Sequence, residues 1–267
     1  MGFTWTVLGS GSKGNCTVLA SSRTQVLIDA GLSCRETIRR MRLAGLDPKA
    51  TNAILITHEH ADHLAGLERL ARVLKIPIYC TEGTREGWFR YLREQGREGA
   101  ELSPVEVFAA GRSFVIEDLE VLPFTIPHDC RDPVGYAFRV EGIRAAIATD
   151  LGCLPANVAD RLRACDLLMI ESNHDLEMLR AGPYPWPVKQ RIMSRVGHLS
   201  NAALAEFLQQ QYDGAATYLV LAHLSEANNH PEIARRAAEL ALGERHRLPG
   251  KRLLLASQAE ALESIRM

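Results

Sequence analysis

No run in this chain is long and apolar enough to cross a bilayer. Its first residues, Met1-Gly2-Phe3-Thr4-Trp5-Thr6-Val7-Leu8-Gly9, lack the basic start and apolar stretch of a signal peptide. Together these absences predict a cytoplasmic protein with no membrane partner. Charge of one sign is missing too: 31 Lys and Arg stand against 32 Asp and Glu, a formal net charge of -1. With no global basic field, any site for a polyanion has to be a local patch. The six cysteines, Cys16, Cys34, Cys80, Cys130, Cys153 and Cys165, form no C-x-x-C pair. That excludes a paired-thiol zinc site and fits reduced thiols in a cytosolic protein. There is no internal repeat, low-complexity tract or linker-like break in composition. A single domain over residues 1–267 is therefore expected.

What is present alternates between strand-like and helix-like segments. Strands are expected at 3–9, 16–20, 25–29, 53–57, 76–81, 105–109, 119–126, 134–140, 143–149, 167–171, 218–222 and 251–256. Helices are expected at 34–44 with Ser33 as cap, then at 64–74, 85–94, 155–163, 202–211 and 231–241. Gly142 marks a tight hairpin, and Pro183-Tyr184-Pro185-Trp186-Pro187 a surface loop. Strands alternating with helices along the whole length predict a layered α/β fold.

One motif invites a false reading. Gly9-Ser10-Gly11-Ser12-Lys13-Gly14 fits G-x-G-x-x-G after a strand, the pattern of a dinucleotide-binding loop. That fingerprint needs a helix to begin at the glycines and meet the pyrophosphate. Here Asn15-Cys16-Thr17-Val18-Leu19-Ala20 follows, which is strand-like. The glycines instead fit a turn that passes close to another group, with Lys13 at its tip able to meet an anion.

The decisive segment is His58-Glu59-His60-Ala61-Asp62-His63, directly after the apolar run Ala53-Ile54-Leu55-Ile56-Thr57. Three of the chain's nine histidines fall in one hexapeptide beside an aspartate. Imidazole and carboxylate suit zinc, manganese or iron, and a strand end is a rigid place from which to aim them. Three more candidates occupy the same position, the first polar residues after a buried strand: His128, Asp150 and His223. Taken singly, each is as readily a cap or a structural histidine. Together with the hexapeptide they complete one site at the rim of a sheet.

With these residues in place, the sequence resembles the metallo-β-lactamase superfamily over nearly its whole length. H-x-H-x-D-H, a later His, an Asp after a hairpin and a final His stand in that family's order. The resemblance implies a four-layer αβ/βα sandwich with two divalent metal ions, zinc or manganese, with iron as a further option. His58, His60 and His128 would hold one ion, and Asp62, His63 and His223 the other, with Asp150 between them. Asp62 would also serve catalysis, and a hydroxide shared by the two ions would be the nucleophile.

The hexapeptide alone does not separate the lactamases, thioesterases, RNase Z enzymes, phosphodiesterases and nucleases of that superfamily. Glu171-Ser172-Asn173-His174-Asp175, Gly197-His198-Leu199-Ser200-Asn201, the run from His223 to Asn229 and the opening glycine loop look like the YycJ/WalJ-type branch of bacterial 5′-to-3′ DNA exonucleases. The helix start at His198 also resembles RNase Z, which implies His198 as general acid or phosphate ligand. Lys13, Asn15 and Asn201 are the expected substrate-binding residues. Lys189, Arg191 and Arg195, interleaved with Tyr184 and Trp186, suit phosphate contacts and base stacking. DNA is the expected partner. RNase Z-like or cyclic-phosphate hydrolysis comes next, and thioester hydrolysis after it. His174, His230 and His246 are expected to be structural.

Overall fold

The computed structural model describes residues 2–97 and 103–267. Its strands run in chain order as β1 (Thr4–Gly9), β2 (Cys16–Ala20), β3 (Gln25–Ile28), β4 (Ala53–Leu55), β5 (Ile78–Thr81) and β6 (Val105–Phe108). There follow β7 (Phe114–Ile116), β8 (Leu119–Thr125), β9 (Val134–Val140), β10 (Ile143–Ala148), β11 (Leu167–Glu171), β12 (Tyr218–Ala222), β13 (Arg252–Leu255) and the short β14 (Ile265–Arg266). They form two seven-stranded sheets, β14-β1-β2-β3-β4-β5-β6 and β13-β12-β11-β10-β9-β8-β7. Both sheets follow one plan. Four strands pair antiparallel (β14-β1-β2-β3, β7-β8-β9-β10), and the remaining pairs are parallel (β3 to β6, β10 to β13).

The strands read as continuous apolar runs because both of their faces are buried. In β3, Val26 and Ile28 point into the layer between the sheets, while Leu27 points to the helices outside. In β11, Leu167 and Met169 face the opposite sheet, and Leu168 and Ile170 face the helices on the other side. The central layer packs Trp5, Val7 and Leu55 against Tyr136, Phe138 and Val220. Burying each such side chain stabilises by about 1.5–3 kcal/mol. Outside the first sheet lie α1 (Cys34–Leu43), α2 (Ala61–Leu64), α3 (Leu67–Leu74) and α4 (Glu82–Glu94). Those following in the second half are α5 (Ala156–Arg161), α6 (Leu176–Ala181), α7 (Trp186–Ile192), α8 (Asn201–Gln210) and α9 (Pro231–Leu242). The result is the four-layer αβ/βα sandwich.

Local signals mostly act as expected. Ser33 caps α1 by accepting from the Glu36 amide, and Thr81 starts α4 earlier than the apolar spacing suggests. The glycine loop joins two antiparallel strands, so no helix meets it. Three differences have physical causes. The helix expected over 64–74 breaks at Gly66, whose amide donates to the Ala30 carbonyl at 2.9 Å. A Cβ there would lie 2.0 Å from the Leu32 carbonyl oxygen, so only glycine lets the chain dip this close. The proline-rich stretch is not all loop: Pro185 and Pro187 launch α7, where a missing amide costs no helical hydrogen bond. Strand β7 and helix α6 are additional, both too short to show a period.

Candidate metal centre and active site

The strand ends bring the chemistry together. His58 and His60 follow β4, and His60 opens the short α2 that carries Asp62 and His63. His128 follows β8, Asp150 follows β10 and His223 follows β12. Asp150 and His223 hold left-handed backbone, φ 60° and 53°, as does Asp29 at the end of β3 with φ 62°. Strained backbone in non-glycine residues clusters where side chains must be re-aimed.

The residues expected as ligands fall into two of three clusters, the third being Asp150, Glu171, His198 and His223. In one, His58, His60 and His128 offer nitrogens within 4.8 Å of one another, joined by the Cys130 sulfur. His128 Nε2 is 3.2 Å from His60 Nδ1, and His128 Nδ1 sits 3.1 Å from the Gly197 carbonyl oxygen. That carbonyl can only accept, so it keeps the proton on Nδ1 and turns the Nε2 lone pair inward. The second group is Asp62, His63, Asp150 and His223. His63 Nε2 lies 3.3 Å from Asp150 and 3.5 Å from Asp62, and His223 Nε2 lies 3.5 Å from Asp62.

Buried carboxylates stand behind the second group. Asp29 meets His63 Nδ1 at 2.8 Å and also accepts from the Thr57 amide and hydroxyl. Glu171, fully buried at the end of β11, meets His223 Nδ1 at 2.8 Å and His198 Nδ1 at 2.9 Å. Its other oxygen accepts from the Leu151 and Leu199 amides, both at 3.0 Å. Burial opposes ionisation of Glu171, yet His198, with His223, holds its carboxyl down at about 2. Sequence reasoning gave no role to Asp29 or Glu171. Both end buried strands, the signal that marked Asp150 and His223.

The electrostatics of the two groups diverge. Burial and the neighbouring imidazoles push His58 well below its ordinary value and His60 down to about 4. Burial would also lower His63 and His223, but Asp150 and the other facing carboxylates raise both well above it. For His198 burial is likewise outweighed, here by Glu171, and the net shift is upward.

Among the described residues, the buried side-chain atoms without a hydrogen-bond partner include three at this site: His58 Nε2, Asp150 Oδ2 and His223 Nε2. An orphaned buried donor or acceptor is costly unless something satisfies it. Imidazole and carboxylate atoms converging in this way fit divalent metal. A cleft of about 300 Å³ opens onto them, lined by Ser12, His60, Ala61, Asp62, Asp150, Arg191, His198 and His223.

The other expected residues are placed differently. Asn15 is buried, and its amide is spent on the Gly11 carbonyl, Asp62 and His63, so it braces the ligands and is not free for substrate. Asn201 is also buried, tied to Ser172 and Asn229, and does not reach the cleft. Lys13 is exposed and paired with Glu226 at 2.5 Å, beside the cleft-lining Ser12. Lys189 is buried, and its ammonium donates to the Arg180 carbonyl, which removes it from the expected basic patch. Tyr184, Trp186 and Arg195 remain exposed, but none lines the cleft. His174 is buried beside Asn173, and His230 caps α9.

Comparison with known proteins agrees with this architecture. The family described as Beta-lactamase superfamily domain matches residues 24–224. An exodeoxyribonuclease YycJ of Bacillus anthracis is 36% identical over 245 residues, covering 92% of this chain and 91% of the relative. An exodeoxyribonuclease WalJ of Streptococcus pneumoniae is 35% identical over 234 residues, covering 88% and 86%. The crystal structure of the metallo-beta-lactamase fold protein YhfI from Bacillus subtilis superposes with a TM-score of 0.70 at 15% identity, over 97% of this chain and 98% of the other. At that identity the likeness concerns the fold.

Proposed function

This chain belongs to the beta-lactamase superfamily, and on that premise we propose that it is a metal-dependent phosphodiesterase that removes nucleotides from DNA ends in the 5′-to-3′ direction. The observation that carries the reading is the placing of buried Glu171 and its partner, the half-buried His198, beside two converging ligand groups at one cleft. Relatives about as long as this chain and named exodeoxyribonucleases supply the substrate class.

In this reading His58, His60 and His128 would hold one ion and Asp62, His63 and His223 the second, with Asp150 a shared ligand. Zinc or manganese suits the donors. Two divalent ions supply Lewis acidity toward the phosphoryl oxygens and make water nucleophilic near neutral pH. The protein's own part is orientation and proton transfer. Asp29 and Glu171 fix the tautomers of His63 and His223, so that their Nε2 lone pairs turn toward Asp62 and the other candidate ligands. His198 gives Nδ1 to Glu171, which leaves Nε2 to carry the proton. As the bond between phosphorus and the departing sugar oxygen breaks, that proton passes to the oxygen and His198 is left neutral.

The test is digestion of end-labelled linear DNA, with and without a 5′-phosphate, by protein loaded with manganese or zinc. Stepwise release of nucleotides from the 5′ end supports the reading. Cleavage of RNA or cyclic phosphates with DNA left intact would replace it.

A further inference from the structure

The cleft presents a charge problem. Asp62 and Asp150 line it, and Asp129 and Glu171 lie close behind, although the proposed substrate is a polyanion. Among the residues lining the cleft, Arg191 is the sole arginine or lysine. It stands in the last turn of α7 with its side chain 61% exposed. Asp129 holds it by pairing Oδ2 with the guanidinium Nε. The two terminal amino groups have no hydrogen-bond partner among the described residues. They form a planar fork that matches phosphate oxygens.

Asp129 also sets the position of that fork. Its second oxygen, Oδ1, lies 3.6 Å from His128 Nε2 and 4.0 Å from His60 Nε2. The guanidinium therefore sits a carboxylate's width outside the histidines.

We propose that Arg191, tethered by Asp129, binds the phosphate adjacent to the scissile one, so that the site selects a polynucleotide strand over an isolated phosphodiester. The inference rests on the phosphodiesterase reading and assigns its substrate selectivity to one side chain. Lys189 and Arg195 do not share the task, since the first is bound to the Arg180 carbonyl and the second does not line the cleft.

The experiment compares wild type, Arg191→Ala and Arg191→Lys, all manganese-loaded, on a DNA oligonucleotide and on bis(4-nitrophenyl) phosphate, which has no neighbouring phosphate. Arg191→Ala is expected to lower the selectivity for DNA over the small ester by about 10–100-fold, through KM for DNA, with metal content unchanged. The logarithmic dependence of DNA affinity on salt should become shallower by about 1. Arg191→Lys should restore the salt slope but only part of the selectivity, because the fork is lost. An equal fall on both substrates, or an unchanged salt slope in Arg191→Ala, overturns the assignment while leaving the phosphodiesterase reading intact. Wild-type protein that cleaves the small ester but not DNA overturns the assignment together with DNA as substrate, and leaves phosphodiester hydrolysis standing.

Discussion

The two ligand groups use similar donors under opposite electrostatics. His58 and His128 are backed by neutral groups, the Thr57 hydroxyl and the Gly197 carbonyl, and the carboxylate nearest the group is the part-exposed Asp129, 3.6 Å from His128 and 4.0 Å from His60. His63 and His223 are each wedged between carboxylates: Asp29, Asp62 and Asp150 for the first, Asp62, Asp150 and Glu171 for the second. In the first group His58 and His60 are pushed toward the neutral form, which leaves their lone pairs available. The second balances buried acids with protonated histidines until a cation takes the protons' place. In the proposed centre, His58 and His60 would take metal without releasing protons, whereas His63 and His223 would release protons to it.

Asp150 touches both histidines of the second group and should give the largest effect. Asp150→Ala is expected to abolish binding at the second position and reduce hydrolysis to the level of chelated protein, as read by metal content and turnover. Retention of two ions per chain would show that Asp150 is not part of the centre. His198→Ala tests the proton-transfer role apart from metal. It should lower kcat by about 100–10,000-fold with full metal content, and loss of metal alongside turnover would move His198 into the ligand set. Glu171→Gln, which backs the second group only, should weaken metal at that position by about 10–100-fold and leave the first occupied. Equal loss from both positions would erase the contrast.

The contrast also predicts an order of release with pH. Ligation requires neutral imidazole, and the metal-free pKa values of His63 and His223 are raised while those of His58 and His60 are lowered. On acidification the second group should therefore empty first. Dialysis over a pH series with metal analysis reads the order, and simultaneous release would contradict it. In the chelated protein the sign for stability is reversed. The raised histidines stabilise fully below their unfolded value near 6.5, and that contribution is lost as pH rises through their folded values. The melting temperature of metal-free protein should fall over that rise.

The smallest expected effect is at Cys130, half-buried with its sulfur 3.3 Å from His60 Nε2. Cys130→Ala should cost the first position no more than about 10-fold in metal affinity, measured by competition with a chelator.

Much of this was legible in the chain because it is local. The apolar runs of β3, β10, β11 and β12 end on Asp29, Asp150, Glu171 and His223, and an abrupt change from apolar to charged residue marks the mouth of a buried strand. The hexapeptide announces a metal-type site because its four donors are adjacent in sequence. The break at Gly66 was not legible, since it depends on the Ala30 carbonyl arriving from another segment. The fates of Asn15, Asn201 and Lys189 were hidden for the same reason. A polar side chain reads as available until the group that consumes its hydrogen bonds is known.

The sequence by itself determined a layered α/β fold and the identity of the donors, because strand–helix alternation and strand-end placement are written in residue order, while the sandwich came through the family resemblance those donors carry. Only the tertiary structure decided which carboxylate stands behind which histidine, and so which histidines are pushed up and which down. It also decided that, of three basic residues near His198, Arg191 alone lines the cleft. Those outcomes depend on distances of a few ångströms between segments far apart in the chain, where electrostatic and hydrogen-bond energies change most steeply.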